Sequence, residues 1–158
     1  MTFPLANDSY EESVLRNIEE YGWHFTHVFA DDEGPSFSYS VGLLSSYNHP
    51  EIILFGLSQQ AAHGLVSSIA ERAANGDPID LSKPSDEIIQ GYSCVFVEAS
   101  RANRQEYALS NCWLYQADDF SMYQLVWPSE HGFFPWHPDA HEGFCWSQPV
   151  LGDISGGA

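Results

Sequence analysis

Positive charge is what this chain has least of. Lys and Arg total five among 158 residues, against 22 Asp and Glu, for a formal net charge of -17. The five are Arg16, Arg72, Lys83, Arg101 and Arg104, so the last third of the chain holds no Lys or Arg. Phosphate neutralisation supplies most non-specific nucleic-acid affinity, and a chain this poor in cations cannot provide it. Nucleic acid and anionic membrane are excluded as expected partners on that ground. Long apolar runs are also missing: no stretch approaches the roughly 18 to 20 residues that span a bilayer. The opening MTFPLANDSYEE has no basic and apolar leader pattern, so a soluble, cytoplasmic protein is expected. Three cysteines, Cys94, Cys112 and Cys145, cannot all pair, and their apolar neighbours favour reduced thiols. No phosphate-binding glycine loop, zinc-finger spacing or nucleophile elbow occurs, so no residue set identifies a reaction.

Aromatic residues are abundant instead: five Trp, eight Tyr and ten Phe. Each fully buried ring contributes about 2 to 3 kcal/mol, which predicts one sizeable core and one domain over 8–150, with a small-residue tail at 151–158 that frays. Ser9 to Glu12 has the spacing of a capping box, with Val14, Leu15 and Ile18 on one helical face and Gly22 as the stop. Trp23 to Ala30 is read as a first strand and Asp31 to Pro35 as the turn of a hairpin. Ser36 to Val41 alternates hydroxyl and bulky residue, as in a half-buried second strand, and a polar loop, Ser45 to Pro50, follows. Ile52 to Phe55 is continuously apolar, as in a strand covered on both faces. A helix is expected from Ser58 to Asn75.

Gly76 to Gly91 is read as a polar connection, Tyr92 to Ala99 as a fourth strand, Arg104 to Gln116 as a helix, and Ser121 to Trp127 as a fifth strand. Connections this short among the first three strands require antiparallel pairing. The fold class is therefore α+β: a mainly antiparallel curved sheet or partial barrel of about five or more strands, with two or three covering helices.

Gly22-Trp23-His24, Phe29 to Pro35, Tyr39 to Leu43, His49-Pro50-Glu51, Phe55-Gly56-Leu57 and Gln124 to Pro128 together carry a resemblance. In order and spacing they resemble the bacterial family called domain of unknown function 4262, over roughly residues 10 to 150. The resemblance implies no activity and no catalytic residues. Members often have Asp after the Phe-Pro-Trp element, where this chain has His137. Ser36 to Leu57 is more faintly similar to the opening hairpin of flavin-reductase-like split barrels. No Lys or Arg lies between Arg16 and Arg72 to help hold a flavin phosphate.

The densest concentration of chemical groups is Trp127 to Trp146. The leading expectation is an acidic recognition module that binds a protein partner, a basic one fitting the charge, in an inhibitor, immunity or accessory role. Trp127, Phe134 and Trp136 would be its ring anchors and Glu130, Asp139 and Glu142 its carboxylates. No cofactor is expected on this reading. One alternative is a flavin- or small-ligand-binding barrel protein or enzyme. Another is a metal-dependent hydrolase holding zinc or a similar ion on His131, His137 and His141, although Pro135, Pro138 and Gly143 make that segment irregular. Elsewhere, His24 and His27 should point to opposite faces of a strand, and His63 should pack beside a helix stripe. His49 and Glu51 should hydrogen-bond backbone of the loop around them. Glu98, on an apparently apolar face, should find Arg101 or Arg104.

Overall fold

A computed structural model describes residues 2–154. The elements in chain order are α1 (Ser9–Tyr21), β1 (His24–Val28), β2 (Phe37–Val41), α2 (Leu43–Tyr47), β3 (Glu51–Phe55), α3 (Gln59–Ala74), β4 (Ser85–Ile89), β5 (Tyr92–Glu98), α4 (Arg101–Tyr107), α5 (Leu109–Tyr115), β6 (Met122–Val126) and α6 (Glu142–Ser147). The six strands form one open mixed sheet in the order β1-β2-β3-β6-β5-β4. Every pairing is antiparallel except β3 with β6, where Ile52 faces Tyr123 in parallel register. The class is α+β, and the sheet does not close into a barrel.

β3 is the centre because its side chains are apolar on both faces. Ile53 and Phe55 join Val14 and Ile18 of α1, Tyr39 and Val41 of β2, and Leu114 of α5 in one core. Ile52 and Leu54 join Ala62, Val66, Ile69 and Ala70 of α3 in a second core on the opposite face. Alternation along a strand produces this division, and each fully buried Ile or Leu contributes about 1.5 to 3 kcal/mol. A third, smaller cluster sets Val95, Val97 and Val126 against Phe134, Trp136, Val150 and Ile154. The carboxyl-terminal segment thus covers β5 and β6.

Several expectations change, each for a local reason. The cap of α1 is Asp8, not Ser9: its carboxylate accepts from the Glu11 amide, while Glu11 Oε1 accepts from the Asn7 amide at 2.7 Å. The box is shifted by one residue because a carboxylate stands just before the hydroxyl. β2 is buried on both faces instead of one, since α3 lies over Ser38 and Ser40. The loop read at Ser45 to Pro50 begins inside the short helix α2.

β4 falls within the polar connection. It is an edge strand with Asp86 and Glu87 exposed, so it carries no apolar alternation. The helix read at Arg104 to Gln116 is two helices, broken at Ala108 (φ -96, ψ 53). The break lets Tyr107 pack on Phe37 and Phe55 while Asn111 donates to the Ser40 carbonyl at 2.9 Å. Glu98 is exposed and unpaired among the described residues. Arg101 instead pairs with Asp118 at 3.0 Å, and Arg104 donates to the Ala99 and Asp118 carbonyls. Of the tail, Leu151 is buried and its amide donates to Gln124 Oε1, whereas 155–158 lie outside the described residues.

Candidate functional site

Glu51 has the most complete set of partners in the molecule. Fully buried on β3, its carboxylate accepts from Ser40 Oγ at 2.7 Å, Tyr115 OH at 2.5 Å, and the amides of Gly42, Leu43 and Leu44 at 3.0 to 3.3 Å. Those amides are the first turn of α2, which has no side-chain cap of its own. Glu51 therefore caps α2 from a neighbouring strand. Burial raises the Glu51 carboxyl above its ordinary value, and the bonds from Tyr115, Ser40, Leu44 and Gly42 oppose that rise.

Ser40 Oγ already accepts from the Ile52 amide, and Tyr115 OH from the Ser45 amide, so both hydroxyl protons point at Glu51. Every partner is a donor, which fits the carboxylate form. Gly42, at φ 104, has no room for a side chain: a Cβ there would lie 2.9 Å from Ile18 Cγ1. This centre has no open face and no bond left to make. Its role is to hold β2, α2, β3 and α5 together. The expectation of bonds to the loop holds for His49, whose Nδ1 lies 2.7 Å from the Pro50 carbonyl, whereas Glu51 reaches past the loop to the first turn of α2.

The residues expected to form a binding surface separate into two kinds. Trp127 Nε1 donates to the Phe55 carbonyl at 2.8 Å, and its ring packs edge-on against Phe144. Phe134 and Trp136 stack on each other, centroids 5.2 Å apart, over the Val95–Val97–Val126 cluster. These three rings hold the structure together. Glu130, Asp139 and Glu142 are exposed.

The histidines read as alternative zinc ligands do not converge. His137 stacks on Phe133 at 4.0 Å and accepts the Asp139 amide, and His141 accepts the Gly143 amide as the cap of α6. His131 is exposed beside Glu130 at 3.7 Å. Among the described residues no group of three or more His, Cys, Asp or Glu could hold a metal ion. His24 and His27 do part company: His24 meets Asn17 of α1, while His27 meets Ser38 at 2.6 Å. Burial pushes the Cys94 thiol up to about 11, which leaves it protonated and unreactive.

A different place brings rings and carboxylates together. A groove of about 530 Å³ lies between the β1–β2 hairpin, α4 and α6. Phe29, 70% exposed, and Trp146, 56% exposed, stand on its walls with Tyr107, and Phe37 and Phe55 form its floor. Asp31 and Glu33 from the hairpin turn and Glu106 from α4 supply charge. None of the three is in an ion pair among the described residues.

The hairpin is rigid where it matters, because Asp31 Oδ1 accepts the Glu33 and Gly34 amides at 2.9 and 3.1 Å. Trp146 is placed from below. Gln148, buried, bonds both the amide and the carbonyl of Trp127, and Gln124 accepts from Leu151 and donates to Pro149. α6 also approaches Gly56 so closely that a Cβ there, at φ 81, would lie 2.8 Å from the Ser147 carbonyl oxygen. Exposed rings beside unpaired carboxylates attract a cation twice, through ring quadrupoles and through charge.

The sequence pointed to the turn and to the aromatic segment but not to their meeting. Phe29 ending a strand next to three acids was the available signal; Glu106 and Tyr107 carried none.

A family model described as Domain of unknown function (DUF4262) matches residues 17–141. No curated protein and no solved structure matches the chain. Among the described residues no helix is long and apolar enough to cross a membrane.

Proposed function

This chain belongs to the family of domain of unknown function 4262, and from the chemistry of its own groove we propose that it is an acidic recognition module for a basic segment of a partner protein. The observation that carries the reading is the juxtaposition of Phe29 and Trp146, the two most exposed rings of the groove, with Asp31, Glu33 and Glu106. An Arg or Lys side chain fits such a place: its stem lies on the rings and its head reaches the carboxylates. The groove is lined by no Lys or Arg that would compete for those carboxylates. Overall charge favours the same class of partner, since -17 steers basic surfaces towards the protein and repels acidic ones.

Calorimetric titration with an Arg- and Lys-rich peptide and with an acidic peptide of equal length tests this. The basic peptide should bind, with affinity falling at least about tenfold between about 0.05 and 0.5 M salt. Trp146→Ala and Glu106→Gln should each weaken it. Equal binding of both peptides, or a basic-peptide affinity that ignores both substitutions, would refute the proposal.

A further inference from the structure

The rings of the basic-partner groove are fixed in place and yet left open. Phe29, Phe37, Phe55, Tyr107 and Trp146 all line it. Tyr107 meets Phe37 and Phe55 edge-on, with centroids 5.2 and 5.1 Å away, so its ring is held upright on the buried Phe55. Phe29 is braced in the same manner by His27, edge-on at 4.6 Å. More than half of Phe29 and of Trp146 nonetheless faces solvent. Braced rings that remain exposed offer flat, electron-rich faces to whatever enters the groove.

The carboxylates of the groove come from two different elements, Asp31 and Glu33 from the hairpin turn and Glu106 from α4. Asp31 Oδ1 is committed to the Glu33 and Gly34 amides, which fixes that carboxylate and leaves Oδ2 open. The charge of Glu106 is felt by the ring next to it: burial first, and then Glu106, raise the Tyr107 hydroxyl above its ordinary value. A cation seated here therefore meets acceptors from two directions with rings beside them. The rest of the lining includes Val28, Pro35 and Pro149, which offer no hydrogen bond from their side chains to replace lost water.

Resting on the reading of this groove as a site for a basic partner, we propose that the residue it selects is arginine and not lysine. The guanidinium plane lies against the Trp146 indole, and its N–H groups divide between Glu106 and the hairpin carboxylates. Guanidinium carries five donors in a rigid planar fork and is more weakly hydrated than ammonium, so it lies on a ring and bonds carboxylates at its edge at the same time. An ammonium gathers its three donors at one point and gives up more hydration among apolar side chains. Glu106 determines the specificity, because it supplies the second direction that only a fork can use.

Titration of isotope-labelled protein with four short peptides of one sequence tests this, the variable positions carrying Arg, Lys, trimethyl-lysine or citrulline. Saturable shifts at the Trp146 indole N–H and at the Phe29 and Glu33 amides are expected with the Arg peptide. It should bind at least about fivefold tighter than the Lys peptide of equal charge. Citrulline keeps nearly the same shape without the charge and should bind at least about tenfold more weakly than Arg. Trimethyl-lysine, a cation with no N–H donor, should also bind more weakly than Arg. Glu106→Gln should cut the preference for Arg over Lys to about twofold or less, with an unchanged melting temperature, since Glu106 is exposed.

The proposal is overturned if the Arg and Lys peptides bind equally, if citrulline binds as well as Arg, if trimethyl-lysine binds more tightly than Arg, or if the Arg preference survives both Glu106→Gln and Trp146→Ala. The two readings fail separately. Equal, salt-sensitive binding of the Arg and Lys peptides at these signals removes the arginine selectivity and leaves the basic-partner reading standing, whereas no saturable shift with either peptide removes both.

Discussion

The Glu51 centre and the Phe29–Trp146 groove are built from the same materials, carboxylates beside aromatic groups, and do opposite things. At Glu51 every lone pair is taken: five donors converge on one buried carboxylate, and the hydroxyl of Tyr115 is one of them. In the groove, Asp31, Glu33 and Glu106 make no ion pair among the described residues, and the two most prominent rings face outward. Satisfaction is what separates a structural carboxylate from one available to a partner. A buried charge without donors would cost several kcal/mol, whereas an exposed one costs little and can wait.

The largest expected effect breaks the first half of that contrast. Glu51→Gln places an amide NH₂ among donors and should lower stability by about 3 kcal/mol in chemical denaturation. A loss below about 1 kcal/mol would mean that the first turn of α2 does not depend on this carboxylate. Gly56→Ala comes next. Its φ of 81 and the 2.8 Å approach to Ser147 should cost about 2 kcal/mol and displace α6, so peptide binding should fall with stability. Trp136→Ala and Trp146→Ala sharpen the contrast within one segment. The first removes a ring packed on Val95, Val97 and Val126 and should cost about 2 kcal/mol. The second should change stability by less than about 0.5 kcal/mol while reducing basic-peptide binding.

That last pair shows where reading the sequence fell short. Trp127, Phe134, Trp136 and Trp146 are alike in composition, and periodicity cannot say which ring of an irregular segment faces in. β3, α3 and the β1–β2 hairpin were legible because local signals agreed there: a continuous apolar run, a capped amphipathic stripe, an acidic turn with Gly34 and Pro35. β4 was not, because an edge strand pays no penalty for polar residues on both faces. The break at Ala108 was hidden for another reason. It is set by where Tyr107 and Asn111 must reach on the sheet, a tertiary demand with no breaker residue. The groove was half legible, since Asp31 and Trp146 lie 115 residues apart and only the fold joins them.

The smallest effect is on pH dependence. Burial lowers the pKa of His24 and of His49 below the ordinary histidine value, so both resist protonation in the folded protein and take up protons more readily on unfolding. The unfolded chain then binds more protons below about pH 6.5, and stability should fall as pH drops through that value. Glu51, with a raised pKa, acts in the opposite sense, which makes the difference between wild type and His49→Gln the quantity to measure. Melting temperatures from pH 7.5 down to about 5.5 should decline less steeply in the variant. Parallel curves would show that His49 contributes nothing to the acid side.

The most direct test of the central claim is calorimetric titration of one Arg- and Lys-rich peptide into wild type, Trp146→Ala and a Glu33→Gln/Glu106→Gln double variant, at low and high salt. The account predicts salt-sensitive binding to wild type, a loss of at least about tenfold in each variant, and unchanged melting temperatures. Binding that persists at full strength in both variants would contradict it.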